Sequence, residues 1–210
     1  IESPDLTGTI DLISVLQPEI THLAAISDIV PTGVLLNKEF RDLESRYKGD
    51  FTMVSLARLS IGELEEELNS LPDSSAIIFL SYFNDGAGQL FHDPEGISAI
   101  RSITDLPIYG IWDWAVGTGT IGGVVISGKR QGAEAAKMAL KVIQGQDINT
   151  ISILTESPNV PMFDYNELSR IPGGFSRIPG KSIIINNPVS FYSQNKSLIW
   201  FVISILLLLI

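Results

Sequence analysis

Trp112, Asp113 and Trp114 stand side by side in the sequence, two flat indoles flanking a carboxylate. Indole faces stack on planar or apolar molecules, and a carboxylate between them can take an amine or a hydroxyl. Upstream, the stretch Tyr82-Phe83-Asn84-Asp85-Gly86 joins aromatic rings to an amide and a carboxylate, and Ser27-Asp28 offers a hydroxyl and a second carboxylate. Each group also has an ordinary structural use. The tryptophans could pack a hinge while Asp113 caps a turn, Asn84-Asp85-Gly86 is common turn chemistry, and Asp28 is placed to cap a following helix. The candidate ligand-binding residues are therefore Ser27, Asp28, Tyr82, Asn84, Asp85, Trp112, Asp113 and Trp114, with both uses open.

A further cluster, Gly117, Gly119 and Gly122, has the spacing G-x-G-x-x-G of a dinucleotide-binding turn. That turn works only where a strand ends at the first glycine and a helix opens at the third. Here the third is followed by Gly123-Val124-Val125-Ile126, which reads as a strand. The glycines are expected instead to turn the backbone sharply and pack it closely where the chain passes from one sheet to another.

Catalytic chemistry finds no purchase. There is no G-x-S-x-G elbow, and the two histidines, His22 at a strand start and His92 in a loop, have no nucleophile beside them in sequence. The carboxylates between Asp85 and Glu95 do not have calcium-loop spacing, so no metal, cofactor or catalytic residue is assigned. Asn195-Lys196-Ser197 satisfies a glycosylation sequon, but it lies against an apolar run and reads as chance.

The elements that must hold these residues follow from hydrophobic periodicity. Up to about Gly110, helical and strand patterns alternate in units of about 25 residues, the rhythm of βαβ crossovers and a parallel sheet. Strands are expected at 22–27, 51–57, 76–82 and 106–111, with helices between them. These include one at 34–47, one opened by a Ser60/Glu63 capping box, and one with Pro94 at its first position. The candidate residues then fall at the carboxyl ends of strands, where ligands of open parallel sheets bind. Beyond Ile111 the sequence predicts an extended stretch at 122–127, a helix over 132–144, and short apolar runs at 160–163 and 182–185.

Composition narrows the partners. A formal charge of −10 in 210 residues, without a basic cluster, argues against nucleic acid or an anionic membrane surface. The absence of cysteine removes thiolate metal sites and disulfides together. Leu198 to Ile210 is apolar apart from Ser204, and Trp200 lies near its start, as an interfacial aromatic does. A membrane span needs about 20 such residues, so the run reads as the beginning of a transmembrane helix. Both ends of the sequence are expected to be cut.

The segment LPIYGIWDWAVGTGTIGGVVISGKRQGAEAAKMALKVIQG resembles the return segment of ABC-type substrate-binding proteins with the periplasmic-binding-protein-like type I fold. Pro107-Ile108-Tyr109-Gly110, Gly122-Gly123 and Gly132 with Ala135-Ala136 carry the likeness. Phe163-Asp164-Tyr165 with Leu168, Ser176-Arg177-Ile178-Pro179-Gly180 and Asn187-Pro188, ahead of an apolar run, resemble the membrane-proximal tail of extracytoplasmic sensor domains. Such domains precede histidine kinase or diguanylate cyclase modules in bacterial signalling proteins. The resemblance implies an α/β fold with parallel-sheet lobes, the first of them incomplete. It implies a complete lobe at 6–111, a crossover and returning part at 112–175, a membrane-proximal linker at 176–196 and a transmembrane start at 197–210.

The expected function is non-enzymatic binding of a small organic ligand, an amino acid, sugar or similar, whose lobe closure is passed to a membrane helix. The globular part would lie on the periplasmic side of the cell membrane, and a homodimer is left open. The alternatives are a solute-binding component of an ABC transporter and, through the glycine cluster, a nucleotide-dependent enzyme.

Overall fold

The computed structural model describes residues 3–189 and 191–208. Asp5 opens the first helix, its carboxylate accepting the Gly8 N–H at 2.7 Å, and α1 (Leu6–Leu16) buries Ile10, Ile13 and Leu16. β1 (His22–Ser27) follows, then α2 (Pro31–Asp42), which starts a turn earlier than the sequence predicts because Pro31 supplies its first turn. Leu36 and Phe40 still point inward. β2 (Thr52–Ala57), α3 (Ile61–Ser70), β3 (Ser75–Phe79), α4 (Glu95–Ile103) and β4 (Ile108–Gly110) complete the alternation.

The capping box at α3 is formed. The Ser60 N–H donates to Glu63 Oε2 at 2.8 Å, and the Glu63 N–H donates to Ser60 Oγ at 3.4 Å. Ser60→Ala should lower stability by about 1 kcal/mol, read as a shift of the urea midpoint. An unchanged midpoint would mean that packing of Leu64 and Leu68 alone fixes this helix.

β5 (Gly122–Val125), β6 (Val160–Asp164) and β7 (Ile183–Ile185) join the first four strands in one seven-stranded sheet of order β2-β1-β3-β4-β5-β6-β7. β1 to β5 run parallel, and β6 turns back antiparallel to β5 with β7 parallel to it. This corrects one expectation. The glycine-rich segment joins neighbouring strands of a single sheet, not two sheets. Gly117, Gly119 and Gly122 all have positive φ, and Gly122 opens a strand, not a helix.

Strand residues alternate between two buried layers. Leu23, Ala25, Ile78 and Tyr109 pack under α1 and α2, while Ala24, Ile26, Ile77 and Ile108 pack with Leu64, Leu68, Ile97 and Ile100 of α3 and α4. Helices on both faces make a doubly wound, three-layered body. Short helices α6 (Tyr165–Leu168) and α7 (Gly174–Arg177) close the α1 side, with Arg177 donating to the Leu16 carbonyl at 2.8 Å.

Two helices lie outside this body. α5 (Gly128–Ile143) starts a turn before the expected position and has no buried residue; Leu140 is 53% exposed and Ile143 78%. α8 (Phe191–Leu208) presents Phe191, Leu198, Trp200 and Phe201 to the outside, and its helical geometry is broken at Asn195. Among the described residues, no helix is long and apolar enough to cross a membrane. The last two residues of the expected span, 209 and 210, lie outside the described residues.

Candidate ligand site

In this strand order the chain leaves β1 for β2 on one side and later enters β3 on the other, so the order reverses between β1 and β3. Open α/β sheets bind ligands at such a reversal, outside the carboxyl ends of the strands. Asp28 follows β1 at that point and is 1% exposed. Its Oδ1 accepts from Ser81 Oγ at 2.8 Å and its Oδ2 from the Phe83 N–H at 2.7 Å. Asp28 thereby ties the loop after β1 to the loop after β3. Gly33 makes room for it: a Cβ there would lie 2.1 Å from Asp28 Oδ1.

The loop after β3 is fixed from within. Asp85, 2% exposed, accepts the Ala87 and Gln89 N–H groups at 2.9 and 2.8 Å. Tyr82, equally buried, donates its hydroxyl to the Leu59 carbonyl at 3.0 Å and tilts its ring against Phe91. Burial raises the Tyr82 hydroxyl pKa, and the negative charge of Asp85 adds to it. Gly86 seats this loop on the next, since a Cβ there would meet the Arg58 carbonyl oxygen at 2.2 Å. Arg58 itself sits at φ +64°, a conformation that costs a side-chain-bearing residue about 1 kcal/mol and is held by these neighbours.

Ser27, Asp28, Tyr82 and Asp85 therefore leave almost no surface for a ligand, and the last three act as supports. Two polar atoms at the crevice remain unpartnered and buried, Ser27 Oγ and Asn84 Oδ1. The Asn84 residue is itself half-buried. An orphan buried acceptor is unfavourable unless something donates to it, so Asn84 Oδ1 is the polar atom that a bound molecule would satisfy.

The tryptophans build a wall beside it. Trp112 donates its indole N–H to the Leu80 carbonyl at 2.7 Å and packs between both cores. Trp114 is half-buried, stacked on Trp112 at 6.5 Å between ring centres, edge-on to Phe79 and 6.1 Å from Phe83. Asp113 Oδ2 accepts the Gly128 N–H at 2.9 Å and so heads α5.

Between Asp113, Trp114, the opening turns of α5 and the β6–β7 surface lies a groove of about 600 Å³. Met162, Ile183 and Ile185 form its floor, and Lys129 and Arg130 lie on its rim. Lys129, Arg130 and Met162 were not singled out from the sequence, and Phe83 only as part of its loop. Placing the helix start at Gly128 rather than Gly132 would have put Lys129 and Arg130 at a strand-to-helix junction beside the tryptophans. A second groove, of about 630 Å³, lies at the opposite, amino end of β3 and β4. Among the described residues there is no group of three or more His, Asp or Glu able to hold a metal ion.

No protein-family model and no curated protein matches the sequence. Solved structures do match its fold. A conserved domain protein from Vibrio cholerae O1 biovar El Tor superposes with a TM-score of 0.55 at 13% identity, over 87% of this chain and 61% of that one. The ligand-free, open form of a substrate-binding protein with adhesive properties from Clostridium difficile gives 0.61 at 11% identity, over 88% and 60%. An ABC domain from Streptococcus pneumoniae in complex with L-Trp gives 0.56 at 17% identity, over 83% and 60%. The chain has the α/β fold of substrate-binding proteins and spans about three-fifths of the length of these structures.

Proposed function

We propose that this chain is the small-molecule-binding part of a larger two-lobed module and that it carries out no chemistry on its ligand. The observation that carries the reading is the crevice at the β1/β3 reversal. An unsatisfied amide oxygen, Asn84 Oδ1, and an aromatic wall of Phe83, Trp112 and Trp114 converge there on a rigid support. The substrate-binding fold of the three solved structures supports it.

A thermal-shift screen of the purified chain against a library of metabolites tests this reading. A ligand at a hundredfold its Kd should stabilise by about 2.7 kcal/mol, a rise of several degrees. Trp114→Ala and Asn84→Ala should abolish that rise while leaving the circular dichroism spectrum native, because neither side chain is fully buried. A ligand that stabilises both variants as well as the parent would place the site elsewhere, and no stabilising ligand at all would overturn the binding reading.

In the finer reading, the module is the extracytoplasmic sensor of a bacterial transmembrane signalling protein. A companion lobe covers the outward apolar face of α5 and closes over the ligand, and the movement passes through residues 176–196 into α8. Closure works as a signal only if the ligand prefers the closed arrangement. The exposed apolar residues of α8, Leu198, Trp200 and Phe201 among them, favour this over a solute-binding component of a transporter. Spin labels at Ser45 and Lys196 should report a ligand-dependent change of distance if the linker transmits closure. A distance distribution unmoved by ligand would favour delivery to a permease.

A further inference from the structure

The sequence suggests that carboxylates flanked by tryptophans receive an amine, but the structure has already spent those carboxylates. Asp28 is occupied by Ser81 and the Phe83 N–H, Asp85 by the Ala87 and Gln89 N–H groups, and Asp113 by the Gly128 N–H. Glu134, the remaining carboxylate on the groove, is paired with Lys137 at 2.5 Å. Asp28 and Asp85 are buried away from a ligand, and the pull of the two carboxylates that line the groove is partly offset, Asp113 by the Gly128 N–H and Glu134 by Lys137.

The groove offers the opposite charge. Lys129 and Arg130 stand exposed on its rim, and neither takes part in any ion pair among the described residues. Arg130, Ala133, Glu134 and Lys137 recur at helical spacing and turn one stripe of α5 toward the apolar floor of Met162, Ile183 and Ile185. This is unusual for a chain of net charge −10, whose general field repels anions. Apolar walls that exclude water strengthen the pull of such cations on a bound anion. Trp114 closes the groove on the crevice side, and among the described residues its indole N–H has no acceptor.

We propose that the groove takes a flat, apolar molecule bearing a single anionic group and no ammonium group, a carboxylic acid in the simplest case. Its body lies against Trp114, Met162 and Ile183, and its anion meets Lys129 and Arg130. The groove shares Trp114 with the crevice of the binding reading above, while Phe83 and Asn84 do not line it, so the ligand class named here is that of the groove.

The test uses one ring system with three charges: 1-naphthylacetate, 1-naphthalenemethanol and 1-naphthylmethylamine, titrated calorimetrically into the full chain in mild detergent at low salt. The acetate should bind about tenfold more tightly than the alcohol, and the amine more weakly than either. The preference should shrink to about threefold or less at 0.5 M salt, because the cations lie at an exposed rim. The Lys129→Gln/Arg130→Gln double variant should bind acid and alcohol alike, while its affinity for the alcohol stays that of the parent. That readout separates loss of the charge from loss of the groove.

Equal binding of acid and amine, a preference that survives the double variant, or no binding by any of the three would each overturn the proposal. The binding reading stands or falls separately. A library ligand that stabilises the chain through Asn84 and Trp114 would keep it even if all three naphthalenes failed.

Discussion

Gly122→Val should leave the chain unfolded or collapsed without a native sheet. Gly122 opens β5 at φ +123°, a conformation that β-branched residues do not adopt. A Cβ there would lie 1.9 Å from the Met162 carbonyl oxygen and 2.8 Å from the Phe163 Cα, both backbone atoms of the paired strand β6. No rotamer change relieves a clash with backbone. The antiparallel pairing of Gly122 with Phe163 would have to open, and with it would go the seat of β7 on β6 and the small core of Val116, Val125, Val160 and Met162. Strain and lost packing together exceed about 4 kcal/mol, most of the stability of an ordinary domain. Gly132→Ala is the matched control, because a Cβ there meets nothing within 4 Å and the position is helical. It should be neutral or stabilising by up to about 1 kcal/mol. Urea unfolding followed by circular dichroism decides the matter, and a cooperative transition for Gly122→Val at the parent midpoint would show that the β5–β6 contact is dispensable.

The same glycine marks what could be read from the sequence. That Gly122 precedes a strand is a local fact, carried by Val124, Val125 and Ile126, and local order sufficed to set the dinucleotide pattern aside. That β5 pairs with β4 on one side and runs antiparallel to β6 on the other is not local, since direction and partner depend on loops whose path the apolar pattern does not record. Helix starts were misplaced where the first turn carries no apolar residue. Pro31 begins α2 and Gly128 begins α5, each before the hydrophobic stripe. In the first half of the chain, β1 lies where the alternation put it, β2 loses its first residue, β3 starts one residue early and ends three short, and β4 is trimmed at both ends.

For the site, the sequence named the loops that meet at the β1/β3 crevice but could not assign the duties of their side chains. Asp28 reads as a helix cap or a ligand contact because only its neighbours are visible in sequence. Its partners, Ser81 and Phe83, are 53 and 55 residues away and reach it only because β1 and β3 are adjacent. Asp113 reads equally as a ligand contact or a turn cap, and in the fold it holds the head of α5 through Gly128, 15 residues on. The cations at the groove escaped notice for the converse reason. Lys129 and Arg130 look like a solvated surface pair until β6 and β7 bring an apolar floor beneath them.

Asp28 also carries the second large effect. Asp28→Ala should destabilise the chain by about 3 kcal/mol, since it strands the Ser81 hydroxyl and the Phe83 N–H at a site that is 1% exposed. Asp28→Asn keeps the shape: its amide oxygen can still accept from Phe83, while the Ser81 hydroxyl turns to accept from the amide NH2. It should cost about 1 kcal/mol. The pair matters for function because Phe83 and Asn84 are placed by this one carboxylate. Asp28→Ala should therefore weaken any ligand that depends on Asn84 by more than tenfold even at temperatures where the fold persists, while Asp28→Asn retains most of the affinity. Ser81→Ala distinguishes support from contact. It removes one donor from Asp28 and touches nothing on the crevice surface, so in a double-mutant cycle with Asp28→Ala the stability losses should fall short of adding, with a coupling of about 1 kcal/mol. Strict additivity would mean that Asp28 holds the loop through Phe83 alone. A ligand affinity untouched by Asp28→Ala would mean that the β1/β3 crevice is not where the molecule binds.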